Sequence, residues 1–567
     1  MSVKELSQRS LAYVQVFLPS RKDYNLRYFR QDLLAGLTVS FVALPLALAF
    51  GVTSGAGAAA GLYTAVVAGV LAAVFGGSSL QVSGPTGAMT AVLLPIVARY
   101  GVGALAWVGL IAGLILIGLA LARIGRYINY IPWPVITGFT NGIAIIIFLQ
   151  QLPNFLGVPK GEGESILEVS YHTFKTFLVA PHFKSILLAL ITIGVMLFWL
   201  RQKRLSAFPA SMAALIIGSV VSALPFFHEV ARIGLIPSGL PKPQLLLPTI
   251  ALNDLFRAAI AVALLSAIES LLSATIADSM SGRERHQPDR ELFGQGLANL
   301  GSSLFGGIPA TAALARTAVN VRSGAHTRLA AIIHGLALLV IMLFLNPLAR
   351  LIPLAVLAGI LMVVALRMIE TEAVYMIMRS TKSDAFVMLL TMLLTIVFDL
   401  ILALEFGMVA AGILFIIRMS RMFSIEPENL SKLMKTGDLN GDFIANTPET
   451  SADSFHDAIL TYRIEGPIFF GAANRFFDEL LKVGSEVKVV ILQLRNVPVM
   501  DATGVTALET LIDRLEKRHI KILLSHLQSQ PQSLLERMGV YNRLSHQGVY
   551  VFADLASALN YAQQLKL

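Results

Sequence analysis

Two charged residues sit where charge is costly. Arg316 lies in Ala310-Thr311-Ala312-Ala313-Leu314-Ala315-Arg316-Thr317-Ala318-Val319, and Glu269 lies in Leu264-Leu265-Ser266-Ala267-Ile268-Glu269-Ser270-Leu271-Leu272-Ser273. An arginine inside an apolar segment costs at least about 2.5 kcal/mol on the lenient insertion scale, so a role is the default reading. A buried guanidinium is a fork of donors suited to a bidentate anion. A carboxylate at similar depth can carry a proton, or hold a cation with Ser273 one turn away. Two plainer readings stand beside these. Arg316 can snorkel toward a polar mouth, since Arg322 follows six residues on, and Glu269 can serve as a structural partner of Arg316.

The stretch holding Arg316 has a counterpart earlier in the chain. Gly76-Gly77-Ser78-Ser79-Leu80-Gln81-Val82-Ser83-Gly84-Pro85-Thr86-Gly87-Ala88 and Gly306-Gly307-Ile308-Pro309-Ala310-Thr311-Ala312-Ala313-Leu314-Ala315-Arg316 both open on Gly-Gly and an extended run. A proline follows, expected near the first turn of a new helix, where its missing N–H costs nothing. Thr86 and Thr311 offer local hydroxyls. A helix that starts inside a membrane leaves free N–H groups and about half a positive charge at mid-depth, tolerated only against protein or water. Two such ends facing each other make an anion site; kinked or re-entrant segments without a ligand are the alternative.

The elements that must carry these residues follow from composition. Of 567 residues, 55% are hydrophobic and 14% charged, with mean hydropathy +0.71. Soluble domains carry about 25% charge, and disorder needs low apolar content, so both are excluded in favour of a polytopic membrane protein embedded in a lipid bilayer. The net charge of +9 sits in short clusters between apolar segments, which reads as membrane-orienting charge and not as a nucleic-acid surface. Cysteine is absent, which removes disulfides, thiolate zinc and iron–sulfur chemistry. His182, His228, His286 and His334 lack ligand spacing and read as loop or packing residues. No metal or cofactor is expected. Walker and G-x-G-x-x-G motifs are missing as well, so an ATP-driven pump or an enzyme is unsupported.

Charges, prolines and glycines divide residues 33–418 into about fourteen apolar segments, among them 33–52 (span 1), 83–98 (span 3), 256–278 (span 8) and 309–322 (span 10). Basic residues gather in alternate loops, Arg123 with Arg126, Arg201 with Lys203 and Arg204, Arg283 with Arg285 and Arg290, which places both termini in the cytoplasm. The first 30 residues, polar and basic, read as a cytoplasmic arm and not as a signal peptide. Ile131-Pro132-x-x-Val135-x-x-Gly138 returns as Ile352-Pro353-x-x-Val356-x-x-Gly359 after 221 residues. Asp32-Leu33 returns as Asp254-Leu255, Val42-Ala43-Leu44 as Val262-Ala263-Leu264, and Phe75-Gly76-Gly77 as Phe305-Gly306-Gly307. A repeat of seven spans must insert inverted, and inverted repeats around a midplane site characterise secondary transporters.

The organisation expected is therefore an arm (1–30), a transmembrane domain (31–420), a polar linker (421–454) and a soluble domain (455–567). In the last, Ala458–Ile464, Val487–Leu494 and Ile520–Ser525 read as strands, and Gly471–Val483 and Thr503–Lys517 as helices. That order implies a parallel α/β fold.

These residues resemble a bacterial member of the sulfate permease family (solute carrier family 26) over nearly the whole chain. The resemblance is carried by Leu44-Pro45-Leu46-Ala47-Leu48-Ala49, Gly61-Leu62-Tyr63, Ser83-Gly84-Pro85-Thr86, Glu291-Leu292-x-x-Gln295-Gly296-Leu297-x-Asn299, Ala315-Arg316-Thr317-Ala318-Val319-Asn320-Val321-Arg322-Ser323-Gly324 and Asp501-Ala502-Thr503-Gly504. The tail is similar to the sulfate transporter and anti-sigma antagonist (STAS) domain. The resemblance implies a homodimer in the bacterial inner membrane, with two inverted seven-span repeats folded into core and gate domains and an elevator-like movement. It implies a site from spans 1, 3, 8 and 10: Pro45, Leu46 and Ala47 lining span 1, Gly84, Pro85, Thr86 and Gly87 capping one half-helix, and Thr311, Ala312, Ala313, Ala315 and Arg316 the other. Glu269 takes the coupling position. Its Glu-Ser-Leu-Leu setting is similar to proton-coupled dicarboxylate carriers, whereas relatives with Asp there are sodium-coupled bicarbonate carriers. Ala502 replaces the serine that anti-sigma antagonists phosphorylate, which argues against a phospho-switch at that position.

The expectation is a secondary anion transporter coupling a proton at Glu269 to uptake of a C4-dicarboxylate, sulfate or bicarbonate. The alternatives are a sodium-coupled bicarbonate carrier, a channel-like anion conductor, a nucleobase–cation symporter, and a tail that docks a regulatory protein.

Overall fold

The structure is a computed structural model that describes residues 25–163, 165–202, 208–233, 251–282, 285–344, 350–398, 400–428, 458–469, 486–542 and 550–565. Two compact units emerge, 1–408 and 409–567.

The first unit is helical. Its elements are α1 (Leu26–Thr53), α2 (Ala58–Phe75), α3 (Gly87–Tyr100), α4 (Gly103–Leu121), α5 (Trp133–Gln150), the short α6 (Leu152–Leu156), α7 (Ile166–Val179), α8 (Phe183–Arg201) and α9 (Ala210–Val221). They continue as α10 (Leu252–Ser281), α11 (Pro288–Leu304), α12 (Leu314–Arg322), α13 (Leu329–Phe344), α14 (Leu354–Met368), α15 (Thr371–Arg379) and α16 (Lys382–Val397), and the boundary at residue 408 falls within α17 (Leu400–Arg421). Every one of the fourteen apolar segments contains a helix, and among the described residues seven helices are long and apolar enough to cross a membrane. Helix α1 begins inside the expected arm, because Asn25 caps it by accepting from the Tyr28 N–H at 3.0 Å; residues 1–24 lie outside the described residues. Three helices lie outside the fourteen segments, α7, α15 and the short α6. The first starts on a capping box, Ser165 with Glu168.

The inverted repeat is visible in three dimensions. Pro132 and Pro353 occupy the N-cap positions of α5 and α14. Helices α1 and α10 run 28 and 30 residues, about 42 and 45 Å at 1.5 Å per residue, longer than a hydrocarbon core of about 30 Å. Helices α3 and α12 have 14 and 9 residues, about 21 and 14 Å, too short to span alone. Extended chain precedes each of these two, and there β1 (Ser83–Gly84) pairs antiparallel with β2 (Thr311–Ala312), Ser83 opposite Ala312 and Gly84 opposite Thr311. The half-helices thus start from one shared crossing.

The second unit holds a five-stranded sheet in the order β3 (Ser424–Glu428), β4 (Ile459–Glu465), β5 (Val489–Asn496), β6 (Lys521–Ser525), β7 (Tyr550–Phe552). Strand β3 is antiparallel and the others parallel. Helices α18 (Ala502–Glu516), α19 (Ser529–Arg537) and α20 (Leu555–Gln564) complete it. The three expected strands and the Thr503–Lys517 helix are present within a residue or two. The expected Gly471–Val483 helix lies outside the described residues. The stretch taken for a linker is corrected in part: its residues 424–428 are the edge strand of the sheet. Asp501 accepts from the Gly504 N–H at 2.7 Å as the cap of α18. A side chain at Gly504 would meet the Ile468 carbonyl at 2.5 Å, which accounts for Asp and Gly three residues apart in that motif.

Candidate functional site

Unwound backbone inside a membrane protein must find partners, and here side chains of distant elements supply them. Glu291, at the start of α11, accepts from the N–H groups of Gly77 and Ser78 at 2.8 and 3.0 Å and from Gln295 at 2.9 Å. Gln295 donates in turn to Ser83 at 2.6 Å. Asn299 brackets Ala310, donating to its carbonyl and accepting from its N–H, both at 2.9 Å. The Thr64 hydroxyl accepts from the Ile308 N–H at 2.7 Å, and Asn320 donates to the Leu80 carbonyl at 2.7 Å.

Helix α10 presents a polar stripe to the crossing. Ser266 donates to the Ala310 carbonyl at 3.0 Å, Ser270 lies 3.1 Å from the Thr311 hydroxyl, and Ser273 donates to Thr317 at 3.0 Å. Glu269 belongs to the same stripe but turns to the other half-helix, accepting from the Thr86 hydroxyl at 3.1 Å. Thr86 also caps α3, accepting from the Met89 N–H at 3.2 Å. One threonine therefore ties the helix start to the carboxylate.

Arg316 stands in the first turn of α12 and is 1% exposed. Its guanidinium crosses to the opposite repeat, where Nη2 donates to the Pro85 carbonyl at 2.6 Å. Nη1 has no hydrogen-bond partner. Close passage depends on Gly84, since a Cβ there would lie 2.6 Å from Nη1. Arg316 and Glu269 form no ion pair within 4 Å; each is bonded instead to the first half-helix, at Pro85 and Thr86. Residues 81–90 are buried, while Ala315 is exposed and Ala313 and Glu269 are partly so; access opens on the α12 side.

The expected residues are thus gathered in part. Gly84, Pro85, Thr86, Glu269 and Arg316 meet at one point. Gly87 is the first residue of α3, and a side chain on it would strike Ile147 at 2.2 Å. Ala312 pairs in the crossing and Ala313 is the N-cap of α12, without a side-chain bond. Three expectations need correction. Pro309 lies five residues before α12 and not in its first turn, because the chain stays extended through β2. Thr311 caps nothing; it donates to the Ser266 carbonyl at 3.1 Å and fastens β2 to α10. Ser273, expected beside Glu269, has its hydroxyl committed to Thr317. Pro45, Leu46 and Ala47 are buried in α1, with Leu46 and Ala47 in an apolar cluster that includes Leu188, Val356 and Leu361. Glu291, Gln295 and Asn299 were noted as motif without a role. Their spacing of four on an otherwise small and apolar helix was the available signal.

Comparison with known proteins gives the family and the fold. The Sulfate permease family profile matches residues 29–391, and the STAS domain profile matches residues 452–558. The chain is 36% identical over 539 residues to "Putative sulfate transporter YvdB" of Bacillus subtilis, covering 94% of this chain and 98% of that protein. It is 33% identical over 534 residues to the bicarbonate transporter BicA of Picosynechococcus, covering 91% and 92%. The murine solute carrier 26 family member A9 anion transporter, solved in the inward-facing state, superimposes with a TM-score of 0.82 at 20% identity, covering 98% of this chain and 95% of that one. At that identity the likeness concerns the fold.

Proposed function

This chain belongs to the sulfate permease family, and from that premise we propose that it is a secondary active anion transporter whose anion binds at the β1–β2 crossing, coupled to a proton carried by Glu269. Sulfate, bicarbonate and C4-dicarboxylates are the substrate classes, and an elevator-like movement of the crossing with α1 and α10 carries the site between faces. The observation that supports this reading most directly is Arg316: buried, with one guanidinium nitrogen bonded across the repeat interface and the other unpartnered. An unsatisfied donor on a buried cation costs free energy that a bound anion recovers. The first-turn N–H groups of α12 point the same way.

Glu269 is the coupling residue in this reading. A carboxylate near Arg316 but unpaired with it, and partly exposed, can gain and lose a proton as the site changes face. Protonation also removes a negative charge that would repel the incoming anion. A sodium-coupled bicarbonate mode is the second reading; its substrate is favoured by the identity with the bicarbonate transporter BicA. A multi-pass bacterial inner-membrane protein with cytoplasmic termini, working as a homodimer with its STAS domain as a regulatory dock, is the setting we assign.

The test is uptake of labelled fumarate, sulfate and bicarbonate by the purified protein in liposomes, at two pH values, with and without sodium. Proton-coupled uptake of one anion, lost or made pH-independent in Glu269→Gln, supports the reading. Uptake that needs sodium and ignores an imposed pH gradient selects the second reading. Undiminished uptake by Arg316→Ala removes the anion site from the crossing.

A further inference from the structure

A cavity of about 500 Å³ lies well away from the crossing, at the far ends of the half-helix machinery. Thr53 at the end of α1, Leu94 on α3, Gln150 and Asn154 on α5 and α6, and Leu354 opening α14 contribute to its wall. Among the described residues lining it, Lys160 is the one that carries a charge. It forms no ion pair within 4 Å with any described residue. Solvent reaches it on one side, while the wall partly desolvates it and draws its pKa below the ordinary lysine value.

The cavity borders the half-helix that starts at the site. Gln150 on its wall lies 3.5 Å from the Thr90 hydroxyl, and Thr90 follows Thr86 by one turn of α3. Leu94 follows by another, so wall and crossing are separated by about 12 Å along one helix. A single cation in a concave, low-dielectric surround concentrates field and attracts the opposite charge.

We propose that this cavity is an outer vestibule that binds a small inorganic anion or carboxylate on Lys160 before it reaches the crossing, a role that rests on the anion-transport reading above. Gln150 and Asn154 supply neutral donors for its remaining oxygens. Release down α3 toward Thr86 leaves Lys160 free to capture the next anion.

The chain contains no cysteine, so Asn154→Cys, or Ala231→Cys on the same wall, introduces a single thiol that reports the local potential. The full-length protein is labelled with methanethiosulfonates bearing either a sulfonate or a trimethylammonium group. The anionic-to-cationic rate ratio should fall about tenfold when Lys160→Gln is added, the scale one unit charge exerts over several Å of partly hydrated space, and return with Lys160→Arg. Inorganic sulfate should slow labelling only when the cation is present. A ratio and a protection that ignore Lys160 at both thiol positions overturn the vestibule. A ratio that does not respond to Lys160→Gln, with normal uptake by the parent protein, sinks the vestibule alone. Charge-dependent labelling with no anion uptake sinks the transport reading alone.

Discussion

Replacing Gly84 by alanine tests the crossing with one methyl group. A Cβ at that position would lie 2.6 Å from Arg316 Nη1, 3.3 Å from Nη2 and 3.4 Å from the Ala65 Cα. Ordinary contact begins near 3.4 Å, so the guanidinium must retreat by roughly 0.8 Å. The Nη2 bond to Pro85, now 2.6 Å, would stretch beyond the useful range for a donor of that kind. A hydrogen bond to a charged group contributes about 1.5–3 kcal/mol, and each 1.4 kcal/mol is about tenfold in a binding constant. Gly84→Ala should therefore raise the apparent KM for the anion by about 10–100-fold. Gly118→Ala is the matched control: its Cβ meets nothing within 4 Å, and KM should stay as in the parent protein. The assay is concentration-dependent uptake in liposomes, with thermal unfolding of the same preparation to show that the variant is folded. A folded Gly84→Ala protein whose KM stays within threefold of the parent would refute the placement of Arg316 at the anion.

Other consequences can be checked separately. Asn299→Ala leaves the Ala310 N–H without its acceptor and removes one of the two donors to its carbonyl, Ser266 being the other, and should cost about 1–3 kcal/mol, read as a fall in the melting temperature of the membrane protein; an unchanged melt would mean water replaces the amide. A soluble fragment of residues 422–567 should melt higher than one of 455–567, which lacks β3 and leaves the edge of β4 unpaired; equal melts would deny β3 a structural role. Asp554 caps α20 and accepts from the Ser557 N–H at 2.7 Å, and that bond holds its carboxyl below the ordinary aspartate value. A depressed folded pKa stabilises above the unfolded value near pH 4 and is lost as pH falls through the folded one. The melting-temperature deficit of Asp554→Ala in the 422–567 fragment should accordingly shrink below about pH 4, and a deficit independent of pH would contradict the cap.

How far this was legible from the residues depends on which force placed each element. Apolar segments announce themselves by composition, and each of the fourteen holds a helix. The interruptions were legible too, because Gly-Gly and Pro cannot continue a helix cheaply. The partners of the unwound chain were not. Glu291 to Gly77, Asn320 to Leu80 and Thr64 to Ile308 join residues more than 200 positions apart, and such side-chain-to-backbone bonds leave no periodic trace. Thr311 misled for the same reason: a threonine before a helix reads as a cap, but a neighbouring serine stripe claimed it. Strand β3, five residues with two glutamates and Pro427, looks like linker by composition, and only its pairing with β4 makes it a strand. Proline is compatible with such an edge position.

The two repeats share a scaffold but not a charge pattern, and the difference is where function resides. Counting from the starts of α3 and α12, Arg316 occupies the place that Met89 fills in the first repeat. By the offsets that relate α1 to α10, Glu269 corresponds to Ala47 or Ala49 on α1. Symmetry alone would build two opposed helix starts and a crossing of neutral backbone, able to favour an anion weakly. The second repeat adds a cation and a carboxylate to that frame; each reaches into the first repeat, Arg316 to Pro85 and Glu269 to Thr86. Both added charges therefore report on the same three residues, Gly84 to Thr86. In the proposed cycle, an anion leaving Arg316 and a proton reaching Glu269 would act on one short stretch of chain. Coupling between them would then need no longer path than the width of that crossing.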